Sequence, residues 1–206
     1  MARKQSIINT VTRIFADATK QIIEANTLTN ITYSKTALKI YQVFLKPDIG
    51  CFVVGEGDFE SLMIMNFSKE AALEIYTKYM TSMGMPESDI TDNYASNEVS
   101  DSIGELVNQI AGKARQELEK QFGISLKINQ PKAIQISNTI MMSIAADINK
   151  PQNRRVSFKT EQKHPFYLEL SIEHTEMISL TDDNGNGENE NNKELSIDEL
   201  IALNKK

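Results

Sequence analysis

The sequence predicts an α+β fold made of two pseudo-repeated halves, with a mostly antiparallel sheet shared between them and two long helices lying together. Three observations predict it. A long amphipathic helix pattern opens the chain and a second begins near Val99. Each is followed by short strand-like runs. Each half then closes on an amphiphilic hairpin pattern. A helix buries one stripe and a strand one face, so helices paired on a common sheet satisfy both.

The first helix covers about residues 6–25. Ile7, Val11, Ile14, Phe15, Ala18 and Ile22 recur at three- and four-residue spacings, and Ser6 is a plausible N-cap. Short strands follow at about 30–34 and 38–44. Pro47-Asp48 is turn chemistry. Residues 51–54 and 59–67 read as a hairpin with Gly55-Glu56-Gly57-Asp58 as its loop. These glycines do not make a phosphate-binding loop, because no lysine or helix start follows them. Ser68 caps a helix over about 69–83, with Ala72, Leu73, Tyr76 and Met80 inward, and Gly84 and Pro86 stop it. Residues 87–96 connect, with room for a short helical turn.

Ser96 or Asn97 starts the second long helix, which runs to about Phe122. Val99, Ile103, Leu106, Val107, Ile110, Ala114 and Leu118 form its apolar stripe. Strands are expected at 124–128 and 133–137. Residues 138–149 fit strand or helix equally. Residues 154–160 and 166–172 form the last hairpin. Methionine and phenylalanine positions are read as core filling rather than a cofactor box.

Composition excludes several functions. The chain has 206 residues, enough for one domain with extensions. Its net charge is −6, with no basic stripe of the kind nucleic acid requires. Cys51 is the single cysteine, so no disulfide forms within the chain, and a reduced compartment fits. No run reaches the ~20 apolar residues of a membrane span. Neither His164 nor His174 has the neighbours of a metal site, so no metal is expected. A soluble cytoplasmic protein is expected.

On the second long helix, residues at 100° steps place Asp101, Glu105, Asn108 and Gly112 together, opposite the apolar stripe. Such a face is often merely solvated, and Glu-x-x-Asn recurs at Glu188 and Asn191 in a polar stretch. Here, however, a carboxylate and a carboxamide one turn apart can reach one external point. Gly112 costs about 1 kcal/mol relative to alanine on a helix, and close approach of another backbone would explain it. Asp101 lies four residues before Glu105, and 22 residues separate Asn108 from Pro131.

That set resembles the signature Asp/Ser-x3-Glu-x2-Asn-x22-Pro of the CheC/CheX/FliY chemotaxis phosphatases. The string Asp-Ser-Ile-Gly-Glu-Leu-Val-Asn-Gln-Ile-Ala-Gly is similar to the CheX branch. The resemblance is clear over residues 99–136 and extends by element order to about 6–175. It implies the CheC/CheX-like arrangement of two halves, and a phosphatase acting on a phosphorylated CheY-type response regulator. CheX-like members are dimeric, so a homodimer is a further expectation. With Ile31 aligned to Ile124, Glu105 and Asn108 fall opposite Thr12 and Phe15, so one active site per chain is expected, on the second helix.

An aspartyl phosphate hydrolyses by in-line attack of water, and the regulator itself carries the phosphoryl group and a Mg2+ ion. The helper needs no cofactor of its own; it has to place the water. Asn108 suits this, because its amide accepts from water and donates to a phosphoryl oxygen. The resemblance implies that Glu105 pairs with a lysine of the regulator. Asp101 and Gly112 would belong to the docking face. The alternative is a regulator-binding or flagellar switch or scaffold protein without turnover. A structural homodimer that pairs sheet edges is a third.

The composition changes near Thr181. The phosphatase-like domain is assigned to residues 1–180 and a flexible acidic linker to 181–194, which holds no core residue. Residues 195–206 form an amphipathic peptide: Leu195, Ile197, Leu200, Ile201 and Leu203 are its apolar face, and Ser196 with Glu199 makes a capping box. It resembles the Leu-Ser-x-x-Glu-Ile-x-x-Leu peptide of flagellar switch proteins that binds the response regulator. Here it sits at the opposite end, with Asn204 in place of a leucine. A terminal helix packed on its own domain fits the same pattern.

Overall fold

A computed structural model of the chain describes residues 7–136, 148 and 150–175. The Ser6 cap, almost all of 138–149, the linker and the C-terminal peptide lie outside the described residues.

The described residues hold three α-helices: α1, Ile7–Thr27; α2, Lys69–Ser82; and α3, Asn97–Phe122. The strands are β1, Thr32–Tyr33; β2, Leu38–Lys39; β3, Ile49–Gly57; β4, Ser61–Phe67; β5, Leu126–Ile128; β6, Lys132–Gln135; β7, Gln152–Lys159; and β8, Pro165–Ile172. They form one sheet in the order β1-β7-β8-β4-β3-β5, with β2 also on β7 and β6 also on β3. Every pairing is antiparallel among the described residues.

The expected repeat is present and has a simple physical basis. Each half runs helix, two short strands, hairpin, with α2 inserted between the halves. The short strands of each half pair with the hairpin of the other: β1 and β2 join β7, and β5 and β6 join β3. Neither half completes its sheet alone, and this reciprocal exchange makes one sheet. α1 and α3 lie together over its one face, where Ile14, Phe15, Val107 and Ile110 share a core with Met63, Met65 and Leu168. All seven residues of β4 are buried, as a central strand covered on both faces requires.

Buried side chains tie these layers. The Glu74 carboxylate of α2 accepts the Gln162 backbone N–H at 3.0 Å and the Thr160 hydroxyl, and sits 2.8 Å from His164 Nδ1. It thereby holds α2 to the β7–β8 turn, and His164 is a hairpin residue as expected.

Two expectations are corrected. The strand expected at 38–44 stops at Lys39. Beyond Ile40, whose N–H still donates to Asn153 O of β7 at 3.3 Å, buried side chains satisfy the backbone instead of a partner strand. Asn153 Nδ2 donates to Tyr41 O at 2.7 Å, Asn66 Nδ2 donates to Phe44 O at 2.9 Å, and Glu169 accepts Phe44 N–H at 3.0 Å. The second correction concerns Gly55-Glu56-Gly57. They are not the hairpin loop but the end of β3, paired with β5 from Gly55↔Ile128 to Gly57↔Leu126. A Cβ on Gly57 would lie 2.3 Å from Ser125 O, so glycine permits β5 to approach. The sequence signal of a turn was in fact a signal of close strands.

Candidate functional site

Local chemistry sets α3 in place. Ser96 caps it by accepting Val99 N–H at 3.3 Å, and Gly123 ends it in the left-handed region at φ 67°. Lys120 in the last turn suits the helix dipole. Val99, Ile103, Leu106, Val107, Ile110, Ala114 and Leu118 are all buried, as the stripe predicts. Asp101, Glu105 and Asn108 are exposed on the other side.

Tertiary structure then brings a second wall to this face. β6 pairs with β3 from Phe52↔Lys132 to Ile49↔Gln135, which carries the preceding Gln130-Pro131 segment alongside α3. Gln135 Nε2 donates to Ser100 Oγ at 2.7 Å and to Ser96 O at 2.9 Å, so the strand is clamped to the first turns of the helix. Between them lies an open cleft of about 290 Å³, lined by Ser100, Asp101, Gly104, Glu105, Asn108, Gln130, Pro131 and Ala133.

The cleft unites Asp101, Glu105, Asn108 and Pro131, the four residues of the spaced set. It does not include Gly112, where a Cβ would meet nothing within 4 Å. Among the described residues no side chain or neighbouring backbone packs on that face of Gly112. Leu195, Ser196, Glu199, Leu200 and Leu203 lie outside the described residues.

Sequence reasoning missed Ser100, Gly104, Gln130 and Ala133 as cleft residues. Gly104 had a usable signal, a second glycine beside the exposed stripe. A Cβ there would meet only Ala133 Cβ at 3.8 Å, so its absence keeps the cleft floor open. Gln109 was missed too, though it stands at i+4 from Glu105: its Nε2 donates to Glu105 Oε1 at 3.2 Å.

The site is acidic. Neither Asp101 nor Glu105 makes a salt bridge among the described residues. No described residue hydrogen-bonds the Asn108 carboxamide, which leaves both its donor and its acceptor free for an incoming group. Such a cleft suits a cation beside a polar centre. No cluster of three His, Cys, Asp or Glu side chains is arranged to hold a metal among the described residues. No helix among them is long and apolar enough to cross a membrane.

A family model described as "Protein of unknown function (DUF3334)" matches residues 4–206. The chain belongs to that family. The DUF3334 match includes every residue that lines the cleft. No curated protein sequence matches the chain.

Solved structures share its fold. The chemotaxis protein CheX from Desulfovibrio desulfuricans superimposes with a TM-score of 0.66 at 20% identity, over 80% of this chain and 99% of that one. CheX in the CheX–CheY–BeF3–Mg2+ complex from Borrelia burgdorferi gives 0.60 at 19% identity, over 79% and 97%. Thermotoga maritima FliY gives 0.61 at 16% identity, over 83% and 91%. The chain thus has the CheC/CheX/FliY fold, in its CheX-like form.

Proposed function

We propose that this protein binds a phosphorylated CheY-type response regulator of chemotaxis and hydrolyses its aspartyl phosphate. One observation carries the reading: Glu105 and Asn108 stand exposed on one side of α3, facing Pro131 across a single cleft. The CheX–CheY complex of the Borrelia fold relative supports a CheY-type partner.

The regulator supplies the phosphoryl group and the Mg2+ ion. Glu105 pairs with a lysine beside the phosphorylation site, drawn by the acidic cleft, and this contact sets the register. One turn on, the Asn108 oxygen accepts a hydrogen bond from a water and its NH2 group donates to a phosphoryl oxygen. The water is then held in line with the scissile P–O bond. Attack breaks that bond, and the products are inorganic phosphate and the free aspartate. Positioning is the whole of the catalysis, as phosphoryl transfer of this kind allows.

Phosphate release from a phosphorylated regulator, with and without the protein, tests the reading. Stimulated release supports it. The same exposed acidic cleft also suits a second reading, a regulator-binding or switch protein without turnover. Binding with no gain in release would establish that reading and remove the first.

A further inference from the structure

The exposed Glu105 carboxylate is not free to wander. Gln109 Nε2 donates to it at 3.2 Å, and Gln109 Oε1 in turn accepts from Asn26 Nδ2 of α1 at 3.1 Å. Asn26 Nδ2 also donates to Ile22 O at 2.8 Å. Both amides are half-buried between the two long helices.

The ends of this ladder fix its polarity. The Ile22 carbonyl can only accept, so the NH2 end of Asn26 must face it. Its second hydrogen then points at Gln109, whose oxygen must face Asn26. The NH2 end of Gln109 is left toward Glu105, and a carboxylate can only accept. No flip of either amide satisfies both ends. A backbone carbonyl of α1 therefore dictates where the carboxylate of α3 is held.

We propose that Gln109 is a positioning residue, anchored by Asn26, that aims Glu105 at the cationic group of the docked regulator. The inference rests on the role given to Glu105 under Proposed function. A free glutamate loses rotamer freedom on docking; one already held loses less, and affinity gains by that difference.

The test is a double-mutant cycle in the full chain. Steady-state phosphate release is followed with CheY-type regulators of the same genome, charged by acetyl phosphate. Binding is followed with the same regulators loaded with BeF3 and Mg2+. Gln109→Leu should lower kcat/KM by roughly 3–10-fold, mainly through KM, as expected for one side chain no longer preordered. Asn26→Ala, which leaves Gln109 in place, should act in the same direction. In a Glu105→Ala background, Gln109→Leu should have no further effect. An equal loss with and without Glu105 means the ladder only pins α1 to α3, and overturns the proposal. So does an unchanged KM in Gln109→Leu. If Glu105→Ala alone alters neither binding nor release, the role of Glu105 itself fails, and that single variant shows it independently of the cycle.

Discussion

Gln135 and Ser100 are joined across the cleft wall, Nε2 to Oγ at 2.7 Å, although they lie 35 positions apart in sequence. The bond holds β6 against α3 and so sets the distance from Pro131 to Glu105. Ser100 is buried, and without Gln135 its hydroxyl keeps only the 3.3 Å bond to Ser96 O. Gln135→Leu should cost about 1–2 kcal/mol of stability. It should also lower phosphate release by loosening the wall. Urea denaturation and the release assay check the two effects, and an unchanged midpoint would show that the clamp is dispensable.

Asn108→Ala should remove most of the stimulated release while regulator binding stays near wild type. Loss of one positioned water costs on the order of 10²–10⁴ in rate. Glu105→Ala should weaken binding and rate together, because it pairs as well as orients. Wild-type release by the Asn108→Ala protein would falsify the assignment.

Gly112→Ala separates docking from folding. The new Cβ meets nothing within 4 Å among the described residues, and alanine favours helix over glycine by about 1 kcal/mol. The variant should therefore melt higher. If a partner backbone passes over this turn, it should also bind the regulator more weakly. Thermal denaturation and affinity for the BeF3-loaded regulator are the two readouts. Higher stability with unchanged affinity removes Gly112 from the docking face.

Removal of residues 181–206 should raise KM and leave kcat nearly unchanged, the mark of lost uniform binding. The proposed linker from Thr181 to Glu194 has 14 residues, with a reach near 20 Å at about 5–6 Å × √n. A tether of that length holds its peptide at roughly millimolar effective concentration. Added free peptide should compete with the intact protein. Unfolding of the truncated chain would instead make the tail part of the core.

Cys51 is buried in β3, and burial pushes its thiol from 9.0 up to about 12. It should resist thiol reagents in the native protein and react on denaturation. The folded state holds this proton more tightly than the unfolded chain. Its contribution is therefore complete below about pH 9 and is lost as pH rises toward about 12. Cys51→Ala should flatten that alkaline part of the stability profile. Equal labelling of native and denatured protein would show that the thiol is accessible.

Periodicity along the chain was enough to place α1 and α3, the buried stripe of α3, and the exposure of Glu105 and Asn108. Those features depend on turn geometry over a few residues, which local spacing encodes. The pairing of the two long helices and the repeat of helix, short strands and hairpin were also legible there, because each half repeats its own pattern. What meets α3 was not legible. Pro131 reaches the site because β6 pairs with β3, and Gln109 faces Asn26, 83 residues away, because α1 packs on α3. The residues after Ile40 lack a partner strand because Asn66, Asn153 and Glu169, distant in sequence, take their backbone groups. Gly55 and Gly57 looked like a loop because a close strand and a turn both demand glycine, and only the position of β5 distinguishes them. Contacts between distant residues depend on which elements become neighbours, and the free energy of that choice is spread over the whole sheet.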